Sequence, residues 1–106
     1  MVGNFKSQII KIKDKELYNL IVNRPGGRTS MRIIDEILIK PKNENQIAKI
    51  LHLDYKTVTY HLDIIHRHNF IDKEKFNKYT FYFPSDRLIK NIEEYNSLKE
   101  MVENER

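Results

Sequence analysis

Five side chains within a single short stretch carry contact chemistry rather than bond-breaking chemistry: Tyr55, Lys56, Thr57, Thr59 and Tyr60 of DYKTVTYHLDIIHRHN. A lysine ammonium reaches a phosphate or a guanine edge. A threonine bonds a phosphate or base edge, or touches a thymine methyl. A tyrosine offers a hydroxyl and a flat apolar surface. A purely solvated helix face more often carries Glu, Lys and Gln than two Tyr and two Thr.

The other reactive residue types are four histidines, His52, His61, His66 and His68. No two stand at i, i+4 with a carboxylate in a zinc-binding pattern, and no cysteine is present to join them. The sequence therefore predicts no metal site and no cofactor. His61 is expected to pack as a hydrogen-bonded imidazole, and His66 and His68 to sit where protonation favours a helix C-terminus. Gly26-Gly27 is a lone pair in a turn, not a phosphate loop. No nucleophile elbow or paired carboxylate stands out, so an enzyme is not expected.

These side chains need a scaffold, and the apolar spacing supplies one. Ile47, Ile50 and Leu51 recur at i, i+3, i+4, and Leu53-Asp54 breaks the pattern. Val58, Leu62 and Ile65 restart it at i, i+4, i+7. Asp54 is placed to cap the second helix through the N–H of Lys56 or Thr57. Two short helices so related form a helix-turn-helix, whose second member fits the major groove of DNA. With its stripe inward, Tyr55, Lys56, Thr59, Tyr60 and Asp63 are expected to face outward. Asn45 and Gln46, near the start of the first helix, are candidates for phosphate contact.

The segment LDYKTVTYHLDIIHRHNFI, Leu53 to Ile71, resembles the recognition helix and the start of the wing in archaeal ArsR-like winged-helix regulators. NQIAKIL resembles their preceding helix, and RPGGRTSMRIIDEIL the approach to their first helix. The resemblance spans Arg24 to Pro84. It implies a winged-helix fold and DNA binding, but no particular promoter or ligand. The metal sensing of some members is not implied, because the ligands are missing.

The flanking segments complete the expected architecture. Residues 7–13 alternate Ile10 and Ile12 with lysines, as a short strand would. Asp14 then caps a helix KELYNLIV, with a hairpin of 8–12 and 17–22 as the competing arrangement. Thr29 or Ser30 is the predicted N-cap of a helix Met31 to Ile39 with Ile33, Ile34, Ile37 and Leu38 inward, and Pro41 stops it. Asn69 closes the second helix of the pair. Residues 70–83, FIDKEKFNKYTFYF, read as a two-stranded hairpin with Asn77-Lys78 at its tip. As a wing, its Lys73, Lys75, Asn77 and Lys78 would grip flanking phosphates or the minor groove. As a plain hairpin, its lysines would only guard an edge strand. From Asp86 on, Leu88, Ile92, Tyr95, Leu98 and Val102 form a stripe on one long helix, predicted to leave an apolar face for a homodimer.

The expected fold is thus α+β, mainly α: a winged helix-turn-helix over 29–84, an N-terminal extension over 1–28 that could add a dimer contact, and a dimerising helix over 85–106. The chain has 106 residues and a net charge of +4. Residues 1–28 carry six Lys/Arg against two Asp/Glu and residues 55–84 five against three, whereas the last 22 carry four against six. That balance permits a nucleic-acid partner. Absence of cysteine, of an apolar run long enough for a membrane span, and of a signal-like N-terminus points to a cytoplasmic protein. The expected partner is double-stranded DNA, bound by a homodimer, with a possible contact to a general transcription factor or RNA polymerase through the acidic C-terminal helix or the N-terminal extension. The competing reading is a protein-interaction module of winged-helix shape. Structured RNA fits less well, because its deep, narrow major groove does not admit a helix.

Overall fold

The structure, a computed structural model, describes residues 13–104. Helix α1 (Lys15–Ile21) starts where the sequence predicts. Asp14 accepts from the backbone N–H groups of Glu16 and Leu17 at 3.1 and 3.2 Å, and Leu17, Leu20 and Ile21 are buried. A hairpin through 17–22 is thereby excluded; the predicted strand over 7–13 lies, but for Lys13, outside the described residues.

Helix α2 (Gly27–Ile39) begins earlier than expected, and neither Thr29 nor Ser30 caps it. Its N-cap is Gly26, which has no side chain to offer. The tight turn after Arg24 already aims the chain along the helix axis, with the Gly27 N–H donating to the Arg24 carbonyl at 3.1 Å. Ser30 is therefore inside the helix, fully buried. Ile33, Ile34 and Ile37 face the core as predicted, and Leu38 packs at its margin.

A two-residue strand β1 (Lys42–Asn43) leads into α3 (Glu44–Leu51). Asn43 caps α3 through a reciprocal box: its side chain accepts from the Gln46 N–H at 2.9 Å, and Gln46 Oε1 accepts from the Asn43 N–H at 2.9 Å. Only Ile47 of the predicted α3 stripe is fully buried. Leu51 is partly covered, and Ile50 stays 47% exposed, because α3 is too short to lay a full face on the core.

Helix α4 (Tyr55–Arg67) follows a three-residue turn in which His52 is left-handed, φ 58°. Asn69, φ 67°, closes its other end as predicted. Strands β2 (Ile71–Phe76) and β3 (Tyr79–Pro84) form the hairpin, with Asn77 left-handed at the tip, φ 56°. The sheet has three strands rather than two. β1 pairs with β3, giving the antiparallel order β1-β3-β2. Two residues are too few for alternation to announce a strand.

The predicted long last helix is broken into α5 (Asp86–Lys90) and α6 (Ile92–Asn104). At Asn91 the side-chain amide donates to the Arg87 carbonyl at 2.9 Å, competing with the regular ladder. Leu88, Tyr95, Leu98 and Val102 are all buried within one chain, and Ile92 packs against them. That stripe is core, not a face left over for a second copy. Sequence periodicity shows that a stripe must be covered but not by what; here α1 and α2 cover it. Tyr95, 0% exposed, places its hydroxyl 2.7 Å from Asp35 Oδ1 and 3.1 Å from the Met31 carbonyl oxygen, fastening α6 to α2.

One core cluster runs from Leu17 through Ile47 and Ile65 to Val102. The N-terminal helix is locked in by charge as well. Asp14 pairs with Arg87 at 2.8 Å, Glu94 accepts from the N–H of Lys13 at 2.8 Å, and the Arg87 guanidinium lies 4.5 Å above the Phe70 ring.

Candidate nucleic-acid interface

Helix α4 owes its position to three buried aliphatic side chains, Val58, Leu62 and Ile65, and to its cap. The Thr57 N–H donates to Asp54 Oδ1 at 2.8 Å, and its hydroxyl donates to Oδ2 at 3.2 Å. These bonds hold the Asp54 carboxyl below the usual aspartate range. The outward face then presents Tyr55, Lys56 and Tyr60, all exposed, the tyrosines at 50% and 61%. With Asp54, Thr57 and His61 these three line one shallow concavity.

The threonines differ from expectation. Both are half-buried, and each hydroxyl is already spent as a donor, Thr57 on Asp54 and Thr59 on the Lys56 carbonyl at 3.1 Å. What remains for a ligand is a lone pair and a methyl group. Asp63, also on the outer side, is paired with Arg67 at 3.1 Å. Asn45 and Gln46 are exposed on α3, but the Gln46 oxygen is committed to the cap, leaving its amide nitrogen as the outward donor.

His61 is the buried anchor of α4, 7% exposed. Its Nδ1 lies 3.3 Å from Ser30 Oγ and 3.4 Å from Arg24 Nη2. A guanidinium only donates, so Nδ1 must accept, and the ring is neutral with its proton on Nε2. Burial first, and the Arg24 charge second, lower its pKa. Arg24 also donates to the Leu20 carbonyl at 3.1 Å and to Ser30 Oγ at 3.0 Å, so one side chain joins α1, α2 and α4. Sequence reasoning missed this role of Arg24, whose only signal is its place beside Pro25.

A pH effect follows. In the unfolded chain this histidine takes a proton near pH 6.5, roughly, whereas the folded site resists protonation. Below about pH 6.5 the unfolded state thus binds the extra proton, and stability falls until the folded His61 also titrates. Urea midpoints measured between pH 7.5 and 5 should decline in the native protein, and His61→Gln should remove the part of the decline that starts near 6.5.

The hairpin stands beside α4 with two unlike faces. Cross-strand register puts Lys73 opposite Tyr82 and Lys75 opposite Thr80. Tyr82 is 7% exposed and donates to Glu44 Oε2 of α3 at 3.2 Å. Burial above all, with Glu44 and the nearby Tyr55 and Asp63, pushes its hydroxyl pKa up to about 12. The face that carries Lys73 and Lys75 is therefore the one turned towards α3 and α4. Lys73, Lys75, Asn77 and Lys78 are all exposed. Among the described residues no group of three or more metal-ligating side chains occurs.

No family profile matches the sequence, and no curated protein matches it significantly. Solved structures do match its fold. The transcriptional regulator BldR from Sulfolobus solfataricus superposes with a TM-score of 0.67 at 14% identity, over 98% of this chain and 78% of that one. The fold is that of the winged-helix transcriptional regulators. A MarR protein from Peptoclostridium difficile gives 0.55 at 24% identity, over 99% and 72% of the two chains. An ArsR family transcriptional regulator gives 0.50 at 13%, over 89% and 97%. In winged-helix terms α3 and α4 are the helix-turn-helix and β2–β3 the wing. The resemblance read from Arg24 to Pro84 holds at the level of fold, and it extends to regulators of more than the ArsR type. No helix among the described residues is long and apolar enough to cross a membrane.

Proposed function

We propose that this protein is a sequence-specific, double-stranded-DNA-binding transcriptional regulator of the cytoplasm. Helix α4 enters the major groove. Lys56 and the rings of Tyr55 and Tyr60 meet bases and phosphates, and Thr57 and Thr59 contribute methyl and acceptor contacts. Asn45 and the Gln46 amide nitrogen donate to phosphates from α3. Lys73, Lys75, Asn77 and Lys78 hold the flanking backbone or minor groove. The reading is supported by the exposure of Tyr55, Lys56 and Tyr60 on α4, and by the register that puts Lys73 and Lys75 on the wing face of Tyr82, whose hydroxyl is influenced by Tyr55 and Asp63 of α4.

A homodimer belongs to the proposal on the ground of symmetry, since two reading helices about 34–36 Å apart match a palindrome. Its contacts would come from the 1–28 extension and from exposed positions of 85–104, not from the stripe Leu88, Ile92, Tyr95, Leu98 and Val102, which packs within one chain. The experiment is a selection of bound DNA from a random pool at about 0.15 M salt, where screening suppresses loose phosphate binding. Enrichment of a palindrome with half-sites one helical turn apart is the expected result. Failure to enrich any sequence would sink the reading and leave a winged-helix interaction module.

A further inference from the structure

The wing has a second face, and its composition is unlike that of the first. Register places Asp72 opposite Phe83, Glu74 opposite Phe81 and Phe76 opposite Tyr79, so these six side chains share the face turned away from α3 and α4. The Phe76 and Phe81 rings meet edge-to-face, 6.3 Å between centroids. Phe76 is 64% exposed and Tyr79 44%, while Phe81 and Phe83 are half-buried and stand outside the core cluster. Four aromatic rings on one short hairpin face are far more apolar surface than a solvated strand needs. Both carboxylates of β2 are on this face and both its lysines on the other.

We propose that this aromatic, acidic face of the wing docks an extended segment of a partner protein in which Lys or Arg alternates with aliphatic residues. Charge selects the occupant. Asp72 and Glu74 outnumber the one ammonium on this face, that of Lys78, 5.9 Å from the Tyr79 ring centre, and repel a phosphate backbone, which disfavours single-stranded nucleic acid stacking on the rings. A second copy of this chain is disfavoured for a geometric reason. β2 is an edge strand of the sheet, and a two-fold pairing of β2 with β2 that keeps the aromatic faces together sets even-numbered residues against even-numbered ones. Carboxylate would then oppose carboxylate, and lysine oppose lysine. A strand of this kind laid along the β2 edge turns its basic side chains to this face, where their charged ends meet the carboxylates and their stems cover the rings. Its aliphatic side chains turn to the other face, while its backbone pairs with the open edge.

The surface does not depend on the DNA-binding reading, and its test uses no DNA. Short peptides alternating Lys with Val, or Glu with Val, are titrated into the isotope-labelled full chain and followed by amide chemical shifts. The Lys–Val peptide should give saturable shifts at residues 71–76 and 79–84, and the Glu–Val peptide none there. The double variant Asp72→Lys, Glu74→Lys, altered only at exposed positions, should bind the Lys–Val peptide about tenfold more weakly. The proposal is overturned by any of four results: unchanged affinity of that variant, shifts confined to the glutamates of α6, wing shifts that arise from raising protein concentration alone, or tighter binding of oligothymidylate at the same amides.

Discussion

Gly27→Ala should cost this protein about 3 kcal/mol or more, a large share of the stability of a small domain. The Cβ built at Gly27 falls 1.9 Å from the carbonyl oxygen of Ile21 and 2.8 Å from its carbon. Those atoms are backbone at the end of α1, and they cannot swing aside as a side chain would. Either α1 or α2 must shift by more than 1 Å, roughly, within a core that resists overpacking. The residue has no positive φ, so alanine in this first turn of α2 would otherwise help by up to ~1 kcal/mol through helix propensity. Sterics and propensity thus predict opposite signs, and the close approach should win. For a chain of this size the loss corresponds to a fall in thermal midpoint of roughly 12 °C or more. Gly26→Ala should cost less. Its Cβ would meet Arg24 Nη2 and His61 Cε1 at 2.7 Å, the far ends of side chains that can give. A melting curve of Gly27→Ala at or above that of the native protein would show that the α1–α2 contact is looser than described.

The same contact shows where sequence reading reached its limit. Periodicity places α1, α2, α3 and α4 and most of the inward residues of α1, α2 and α4, because burial on one helical face leaves a direct trace in the chain. In α3 it finds Ile47 but not the exposure of Ile50. The Asp54 cap, the left-handed Asn69 and the Asn77 tip were legible for a similar reason, since each is a local backbone demand met by one residue type. Long-range partners leave no such trace. Nothing near Arg24 announces that its guanidinium reaches His61, 37 residues away. Nothing in Leu88 to Val102 says that α1 and α2 will cover that stripe, and the dimer face predicted from it was a consequence of that silence. The split of the wing into a basic and an aromatic face was present in the alternation of IDKEKF and YTFYF. Reading it needed the register, which a hairpin sequence fixes only once its turn is known.

Replacing Lys56 and Tyr60 together by alanine should lower affinity for a selected DNA site by about a hundredfold, close to 2.7 kcal/mol, and flatten the preference for that site. Neither side chain belongs to the core cluster. Tyr60 is 61% exposed, and Lys56 lies on the open side of the first turn of α4, away from the Val58–Leu62–Ile65 anchor. Circular dichroism should therefore be unchanged while binding collapses. Truncating Lys73, Lys75 and Lys78 to alanine should act differently. Losing three phosphate contacts weakens binding to every sequence alike, and it lowers the slope of log affinity against log salt by about 2.7. The contrast decides the assignment, because a reading helix controls which DNA is bound and a wing that holds phosphates controls how steeply salt competes. If the α4 variant kept its sequence preference and lost only salt sensitivity, α4 would be gripping the backbone, and the reading of bases would have to be sought on another element.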